Sequence, residues 1–182
     1  MKVSVIVPVY NEERTIIQVL ESISRQSIDG VELEVIVVDD GSFDNTPRLL
    51  EEHPDLYTKY IRQNQNSGKG GAVREGLKNS SGDYILFQDA DVEYNPDDYA
   101  SLLKPIILFE ADLVIGSRFS APQYTRVAYF WHRIGNQIIT VLFNIINNLT
   151  FTDIYSCYVV FKREYITPEN LIQMGGSSKL SF

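Results

Sequence analysis

Short apolar runs of strand length recur along this sequence, and each is followed by a polar turn and a segment of helical periodicity. The runs at residues 3–9 and 33–38 are rich in valine and isoleucine, which suits parallel strands that are buried on both faces. Strands that alternate with helices predict an α/β fold with a mostly parallel sheet. Further strands are predicted at residues 57–61, 84–87, 112–116 and 158–161.

The predicted helices begin at recognisable capping residues. Asn11 is expected to cap the first helix, and Thr46 with Pro47 is expected to form the N-cap and first position of the second. Asn95 and Pro96 open a later helix in the same style. A strand, turn and helix therefore follow one another at least three times.

The segment at residues 134–151 has apolar residues at helical spacing and a polar, nearly uncharged opposite side. Such a helix is expected to pack on its own domain. Aromatic residues stand just ahead of it, however, and the alternative is a helix that lies at a membrane surface. No apolar run reaches the roughly 18 to 20 residues that a membrane span requires.

Composition excludes several classes of function. A net charge of -8 argues against a nucleic-acid binder, because binding to phosphate backbones requires clustered lysine and arginine. The single cysteine, Cys157, rules out an internal disulfide framework, and two histidines do not form a zinc pattern. A reducing, cytoplasmic compartment is expected.

Carboxylates follow closely after two of the predicted strands. Asp39 and Asp40 come after the second strand, and Asp89, Asp91 and Glu93 come after the strand at 84–87. Alternate residues of an extended segment share one face, so the last three are expected to point together at one hard cation. The carboxyl ends of parallel strands are also where open α/β sheets bind ligands.

The sequence can be compared with two phosphate-binding motifs, the dinucleotide-binding glycine motif and the Walker loop. The turn after the first strand contains no glycine, which argues against a dinucleotide-binding oxidoreductase. The glycine-rich segment 65–71 leads into a helix and carries Lys69, but it lacks the spacing of a Walker loop. Its backbone N–H groups and Lys69 are expected to approach an anion. Arg118, at the end of the strand at 112–116, is a candidate to bind a phosphate bidentately.

Five motifs in order resemble the signature of glycosyltransferase family 2, and most closely that of its dolichyl- or polyprenyl-phosphate sugar synthases. They are Val7-Pro8-Val9-Tyr10-Asn11-Glu12, Val37-Val38-Asp39-Asp40-Gly41-Ser42, Asn66-Ser67-Gly68-Lys69-Gly70, Gln88-Asp89-Ala90-Asp91 and Gly116-Ser117-Arg118-Phe119. The resemblance covers residues 1–166, and residues 167–182 are predicted to be an irregular tail. It implies a three-layer GT-A fold, an inverting transfer, and a nucleotide-sugar donor such as GDP-mannose or UDP-glucose.

The resemblance also implies roles for individual residues. The nucleotide-sugar site would comprise Pro8, Tyr10, Glu12, Asp39, Asp40, Lys69, Asp89 and Ala90. The metal, Mg²⁺ or Mn²⁺, would be bound by Asp89, Asp91 and Glu93. The acceptor phosphate would be bound by Ser117 and Arg118, and Thr152-Asp153 resembles the later acceptor-side motif.

The implied acceptor is a polyprenyl or dolichyl phosphate, which would bring the protein to the cytoplasmic face of a membrane. A phosphate monoester is already anionic near neutral pH, so this acceptor needs no strong general base. A sugar hydroxyl acceptor, as in polysaccharide or glycan synthesis, would need one, and Asp153 is then the first candidate. Related proteins continue with more sheet beyond residue 166, so a shortened domain that binds nucleotide sugar without turnover is a third hypothesis.

Overall fold

The structure is a computed structural model, and it describes residues 1–116, 130–148, 150–152 and 158–167. Its strands are β1 (Lys2–Val9), β2 (Glu32–Asp39), β3 (Lys59–Arg62), β4 (Tyr84–Phe87), β5 (Leu113–Ile115) and β6 (Val159–Lys162). Its α-helices are α1 (Ile16–Ser24), α2 (Thr46–Glu52), α3 (Lys69–Asn79), α4 (Tyr99–Phe109) and α5 (Phe130–Asn147). The six predicted strands are confirmed, with ends that move by one or two residues. The predicted tail lies outside the described residues from position 168 onward.

The six strands form one mixed sheet in the order β3-β2-β1-β4-β6-β5. Strands β1 to β4 are mutually parallel, whereas β6 runs antiparallel to both of its neighbours, β4 and β5. The chain builds the sheet outward from β1 to β3 and then returns to place β4 on the other side of β1. The strand order therefore reverses between β1 and β4, which is the position where such sheets bind ligands.

Helices cover both faces of the sheet and give the predicted three layers. Alternate valines of β1, including Val5 and Val7, pack with Leu20 of α1 and Leu103 of α4 in the larger core cluster. On the other face, Ile6 packs with α3. The approach of α3 is close, because a Cβ added at Gly76 would lie 2.5 Å from Ile6 Cγ2.

The predicted cap of the first helix is wrong. Helix α1 begins five residues after Asn11, and Thr15 occupies the N-cap position. Asn11 has a φ of 56°, and its side-chain oxygen accepts a hydrogen bond from the backbone N–H of Phe43 at 3.0 Å. The Asn11 side chain is therefore used between two loops, and a separate turn at Glu12 leads into the helix.

The other two predicted helix starts are nearly right. Thr46 is the first residue of α2 and Asn45 is its N-cap, one position earlier than expected. The side chain of Asp44 accepts a hydrogen bond from the Thr46 N–H at 2.9 Å. Asn95 acts as a cap as predicted, because its side chain accepts from the Asp97 N–H at 3.2 Å at the start of the short 3₁₀ turn before α4.

Helix α5 forms near the predicted position, but the expectation that its apolar side packs on the domain is wrong. Ile138, Leu142, Ile145 and Ile146 are all more than half exposed, whereas Thr140 is buried. The polar side is instead held locally, since Asn144 exchanges two hydrogen bonds with the Phe151 backbone. Among the described residues, no helix combines the length and apolar character needed to cross a membrane.

Candidate active site

An open cleft of about 330 Å³ lies beside the switch point, at the carboxyl ends of the parallel strands. Its lining residues come from the end of β1, from the turns after β1, β2 and β4, and from the glycine-rich segment and first turn of α3. They are Pro8, Val9, Tyr10, Glu12, Asp40, Asn66, Gly68, Lys69, Ala72, Asp89, Ala90 and Asp91. Eight of the residues predicted for the site are therefore brought together, from segments up to about 80 positions apart in the sequence.

Asp40 anchors the glycine-rich segment to the turn after β2. One of its carboxylate oxygens accepts hydrogen bonds from the backbone N–H and the hydroxyl of Ser67, at 2.8 and 2.9 Å. Gly41 adopts a φ of +76° in this turn, and a Cβ added there would lie 3.1 Å from the Asn66 nitrogen. The turn and the glycine-rich segment thus pack directly against each other, which requires glycine at position 41.

Asp39 is fully buried and does not line the cleft. Its carboxylate accepts hydrogen bonds from the Ser42 N–H at 2.8 Å and the Tyr60 hydroxyl at 3.3 Å, and Arg62 lies 3.6 Å away. Burial and the nearby Asp39 charge raise the pKa of Tyr60. In its described contacts, the Asp39 side chain stabilises the turn that presents Asp40. It does not face the cleft, where the resemblance placed it.

The turns after β1 and β2 are joined by hydrogen bonds in both directions. The Asn11 N–H donates to the Ser42 hydroxyl at 2.9 Å, and Asn11 in turn accepts from Phe43. This places the Phe43 ring 6.0 Å from the ring of Tyr10, edge to face, at the rim of the cleft. Phe43 is 81% exposed. Phe43 was not among the predicted site residues, although an aromatic residue in an otherwise polar turn was an available signal.

The acidic turn after β4 is folded around a buried glutamine. The Gln88 amide donates to the carbonyls of Asp89 and Tyr94, both at 3.0 Å, and accepts from the Tyr99 hydroxyl. Gln88 is fully buried. These contacts fix the shape of the loop that carries the carboxylates, a role that was not predicted for Gln88.

This fold of the loop changes the expected arrangement of carboxylates. The premise that Asp89, Asp91 and Glu93 lie on one extended segment is wrong, because residues 90–94 bend and the Glu93 N–H donates to the Asp91 carboxylate at 3.0 Å. Asp89 and Asp91 line the cleft and Glu93 does not. Burial, followed by the charges of Asp89, Glu93 and Glu12, raises the pKa of Asp91 against the opposing effect of that hydrogen bond.

Lys69 supplies a positive charge to this acidic cleft. Its ammonium nitrogen lies 2.5 Å from a carboxylate oxygen of Asp89. It is the first residue of α3 and follows Gly68, whose φ is 78°. The cleft thus combines two neighbouring carboxylates, a lysine and a helix start, which is a set of groups suited to a metal-bound diphosphate.

The sequence model of the family "Glycosyl transferase family 2" matches residues 4–167. The chain belongs to this family. It is 29% identical over 175 residues to a UDP-N-acetylglucosamine–dolichyl-phosphate N-acetylglucosaminyltransferase of Methanococcus voltae, a match that covers 87% of this chain and 68% of the relative. It is 37% identical over 120 residues to a dolichol-phosphate mannosyltransferase of Pyrococcus furiosus, covering 65% of this chain and 34% of that protein.

Solved structures also resemble this family 2 glycosyltransferase. The mannosyltransferase PcManGT of Pyrobaculum calidifontis, in complex with GDP-Man and Mn²⁺, superposes with a TM-score of 0.62 at 27% identity, over 89% of this chain and 44% of that one. The GT-A fold that the motif resemblance implied is confirmed. The chain spans between one third and about two thirds of the lengths of these three proteins.

The described residues of this glycosyltransferase fit a divalent cation through two carboxylates instead of three. No cluster of three acidic, histidine or cysteine side chains is arranged for a metal within residues 1–116, 130–148, 150–152 and 158–167. Mg²⁺ in proteins that act on phosphates is commonly bound by one or two carboxylates, with substrate oxygens and water as its other ligands. Asp89 and Asp91, side by side in the cleft, match that donor set.

The cleft geometry does not test the residues predicted for the acceptor side. Ser117, Arg118 and Asp153 lie outside the described residues. Their assignment to the acceptor side therefore rests on the motif resemblance alone.

Proposed function

We propose that the protein is a metal-dependent hexosyltransferase that moves mannose or glucose from a nucleotide sugar to a polyprenyl or dolichyl phosphate at a membrane surface. The observation that carries the proposal is the cleft at the switch point, where Asp89 and Asp91 lie beside Lys69 and the start of α3. Two relatives with dolichyl phosphate or dolichol phosphate in their names support the choice of acceptor.

The donor would bind with its nucleoside between the turns after β1 and β2. Tyr10 presents an aromatic ring there, while Pro8 and Asp40 complete the wall. An aromatic ring at this position provides a stacking surface for a base. The diphosphate would then reach Asp89 and Asp91 through Mg²⁺ or Mn²⁺. When bound, the cation supplies charge neutralisation for the nucleoside diphosphate that leaves.

The acceptor phosphate would be bound by Ser117 and Arg118. Its oxygen would attack the anomeric carbon of the sugar while the bond to the diphosphate breaks, which inverts the configuration at that carbon. Because a phosphate monoester carries negative charge near neutral pH, its attack needs no protein base. Asp153 would act as a base only in the alternative reaction with a sugar hydroxyl.

The exposed apolar side of α5 supports a location at the membrane surface. Ile145 and Ile146 are 72% and 79% exposed, and residues 134–148 contain no charged side chain. A surface of this kind would enter the lipid interface through apolar burial and not through attraction to anionic head groups. We expect binding to polyprenyl-phosphate vesicles that persists at high salt and is lost in Ile146→Asp. Binding that disappears with salt would contradict this mode of attachment.

Calorimetry tests the donor site directly. UDP-glucose and GDP-mannose are titrated into the protein with Mn²⁺ and then with EDTA, and into Asp91→Ala. We expect metal-dependent binding of one donor that Asp91→Ala loses and that the control Asp55→Ala, an exposed carboxylate outside the cleft, retains. No binding of either donor would refute the transferase proposal.

Transfer assays with and without polyprenyl phosphate then identify the acceptor class. Product that forms only with the lipid supports the proposed acceptor. Transfer to a sugar hydroxyl without the lipid would favour the polysaccharide or glycan alternative. Donor binding with no transfer to either acceptor would favour a domain without turnover.

A further inference from the structure

The charges that line the cleft are unevenly balanced. Glu12, Asp40, Asp89 and Asp91 contribute four carboxylates, and Lys69 is the one cation among the described lining residues. Lys69 lies 2.5 Å from Asp89, whose side chain is 16% exposed. A nucleoside diphosphate that enters this cleft meets a net negative wall, so its binding depends on where the available positive charges lie.

The position of Lys69 is not favoured by its own helix. It is the first residue of α3, an eleven-residue helix. The amino end of a helix carries partial positive charge and favours anions, so a lysine there is disfavoured by the helix dipole. The pairing with Asp89 across the cleft offsets this cost. The lysine is therefore held where it neutralises the same carboxylate that would bind a metal.

We propose that Lys69 is a resident counter-ion that competes with the divalent cation for Asp89 and then binds the donor diphosphate once the cation has replaced it. This inference rests on the proposed function, because it concerns the same site. The ammonium group would move by a rotation of an exposed side chain, since Lys69 is 56% exposed. No covalent bond is made or broken in this exchange.

The exchange couples two binding events. In the free protein, a cation must displace Lys69 from Asp89, so the cation alone binds weakly. With the diphosphate present, the displaced ammonium gains phosphate oxygens as new partners, so cation and nucleotide each favour the binding of the other. By linkage, the gain in affinity is the same whichever ligand binds first. Lys69 is a positioning residue in this scheme and not a catalytic one.

The substitution Lys69→Gln is expected to change the affinities for Mn²⁺ and for nucleotide in opposite directions. Lys69→Gln removes the competing charge, so we expect it to bind Mn²⁺ alone about three- to tenfold more tightly than the wild type. The same variant loses a charge-assisted contact to phosphate. With saturating Mn²⁺, we expect it to bind UDP or GDP, whichever the wild type binds, about tenfold more weakly.

The control variants separate this effect from a general change in charge. Lys78→Gln removes the same charge from the same helix, but Lys78 pairs with Glu75 on the surface outside the cleft. It should leave both affinities unchanged. Lys69→Arg keeps the charge and should bind Mn²⁺ alone as weakly as the wild type does. Thermal unfolding of each variant confirms that the fold is intact.

Free Mn²⁺ is measured by electron paramagnetic resonance, and nucleotide binding by calorimetry. Tighter Mn²⁺ binding by Lys69→Gln but not by Lys78→Gln supports the proposal. Equal Mn²⁺ affinities in Lys69→Gln and the wild type would overturn it. If the wild type binds neither nucleotide, the proposed function fails, whereas the Mn²⁺ titration still decides whether Lys69 competes for the metal site.

Discussion

Two carboxylates, Glu34 and Asp91, lie at opposite ends of the sheet, and their surroundings differ. At the amino end, Glu34 is paired to Ser4 across β1 and β2 and is closed off from solvent. At the carboxyl end, Asp91 opens into the cleft. The first carboxylate has protein partners for its charge, whereas the second lies among like charges.

Protein groups satisfy Glu34 on every side that the structure describes. Its carboxylate accepts hydrogen bonds from Ser4 and twice from Ser81 at 2.5 to 2.8 Å, and Lys2 and Lys59 each lie 3.3 Å away. Burial alone would raise the pKa of Glu34, but the hydrogen bonds from Ser4, Ser81 and Lys2 lower it from 4.5 to about 2. This is a structural acid, and its negative charge contributes to stability.

Asp91 shows the opposite balance. Burial and three neighbouring carboxylates raise its pKa, and a single backbone hydrogen bond opposes them. A protein that leaves like charges together at a cleft gains stability when a cation binds there. A carboxylate whose charge is balanced by protein groups therefore contributes to stability, whereas one that needs a bound cation to balance its charge marks a binding site.

The strongest test of this contrast is Asp91→Asn. We expect the transfer rate to fall by about 10²- to 10³-fold, because the variant loses a metal ligand that stabilises the leaving diphosphate. Stability should be unchanged or slightly higher, since a like charge is removed from the cleft. Transfer assays measure the rate, and thermal unfolding measures the stability. An active but destabilised variant would reverse the assignment.

The corresponding change at the other end is Glu34→Gln. We expect a loss of about 2 to 4 kcal/mol in the free energy of unfolding, because two lysines and two serines lose a buried anionic partner. Donor binding should be unaffected. Glu32→Gln is the matched control: Glu32 lies on the same strand, is 74% exposed and is 3.9 Å from Lys2. Its effect should stay below about 0.5 kcal/mol. Similar losses in both variants would refute a special role for Glu34.

The pH dependence of stability tests the lowered pKa of Glu34. Because folding lowers the pKa of Glu34 to about 2 from 4.5, its contribution is complete above pH 4.5 and is lost as the pH falls from there toward 2. Urea unfolding between pH 6 and pH 3 should therefore show a decline in the wild type that is shallower in Glu34→Gln. Parallel profiles for the two proteins would contradict the low pKa.

The smallest effect is expected at the cleft rim. Phe43→Ala removes the ring that packs edge to face on Tyr10, and we expect donor affinity to fall about threefold, or roughly 0.5 to 1 kcal/mol. Inorganic pyrophosphate with Mn²⁺ should bind unchanged, because the ring is placed to affect the base. Phe109→Ala, which removes an equally exposed ring on α4, is the control. An unchanged donor affinity in Phe43→Ala would leave the ring without a part in binding.

Much of the architecture was predictable because its signals are local. Runs of valine and isoleucine marked β1 and β2, and the order of the motifs indicated the family and its fold before any contact was known. The cleft residues were predictable for the same reason, since Tyr10 and Asp40 directly follow a strand and Asp89 lies two residues after one. Strand ends converge whenever the strands are parallel.

Local patterns were therefore enough to predict which segments become strands and which polar turns lie at the same edge of the sheet. The use of individual side chains at that edge depends on contacts between distant segments. Asp39 and Asp40 are both buried, but Asp40 lines the cleft and Asp39 does not. Lys69 pairs with Asp89, and the apolar side of α5 points outward. The physical reason is that periodicity and capping act over a few residues. Hydrogen bonds and ion pairs between distant segments depend on strand order and loop shape, which no local pattern records.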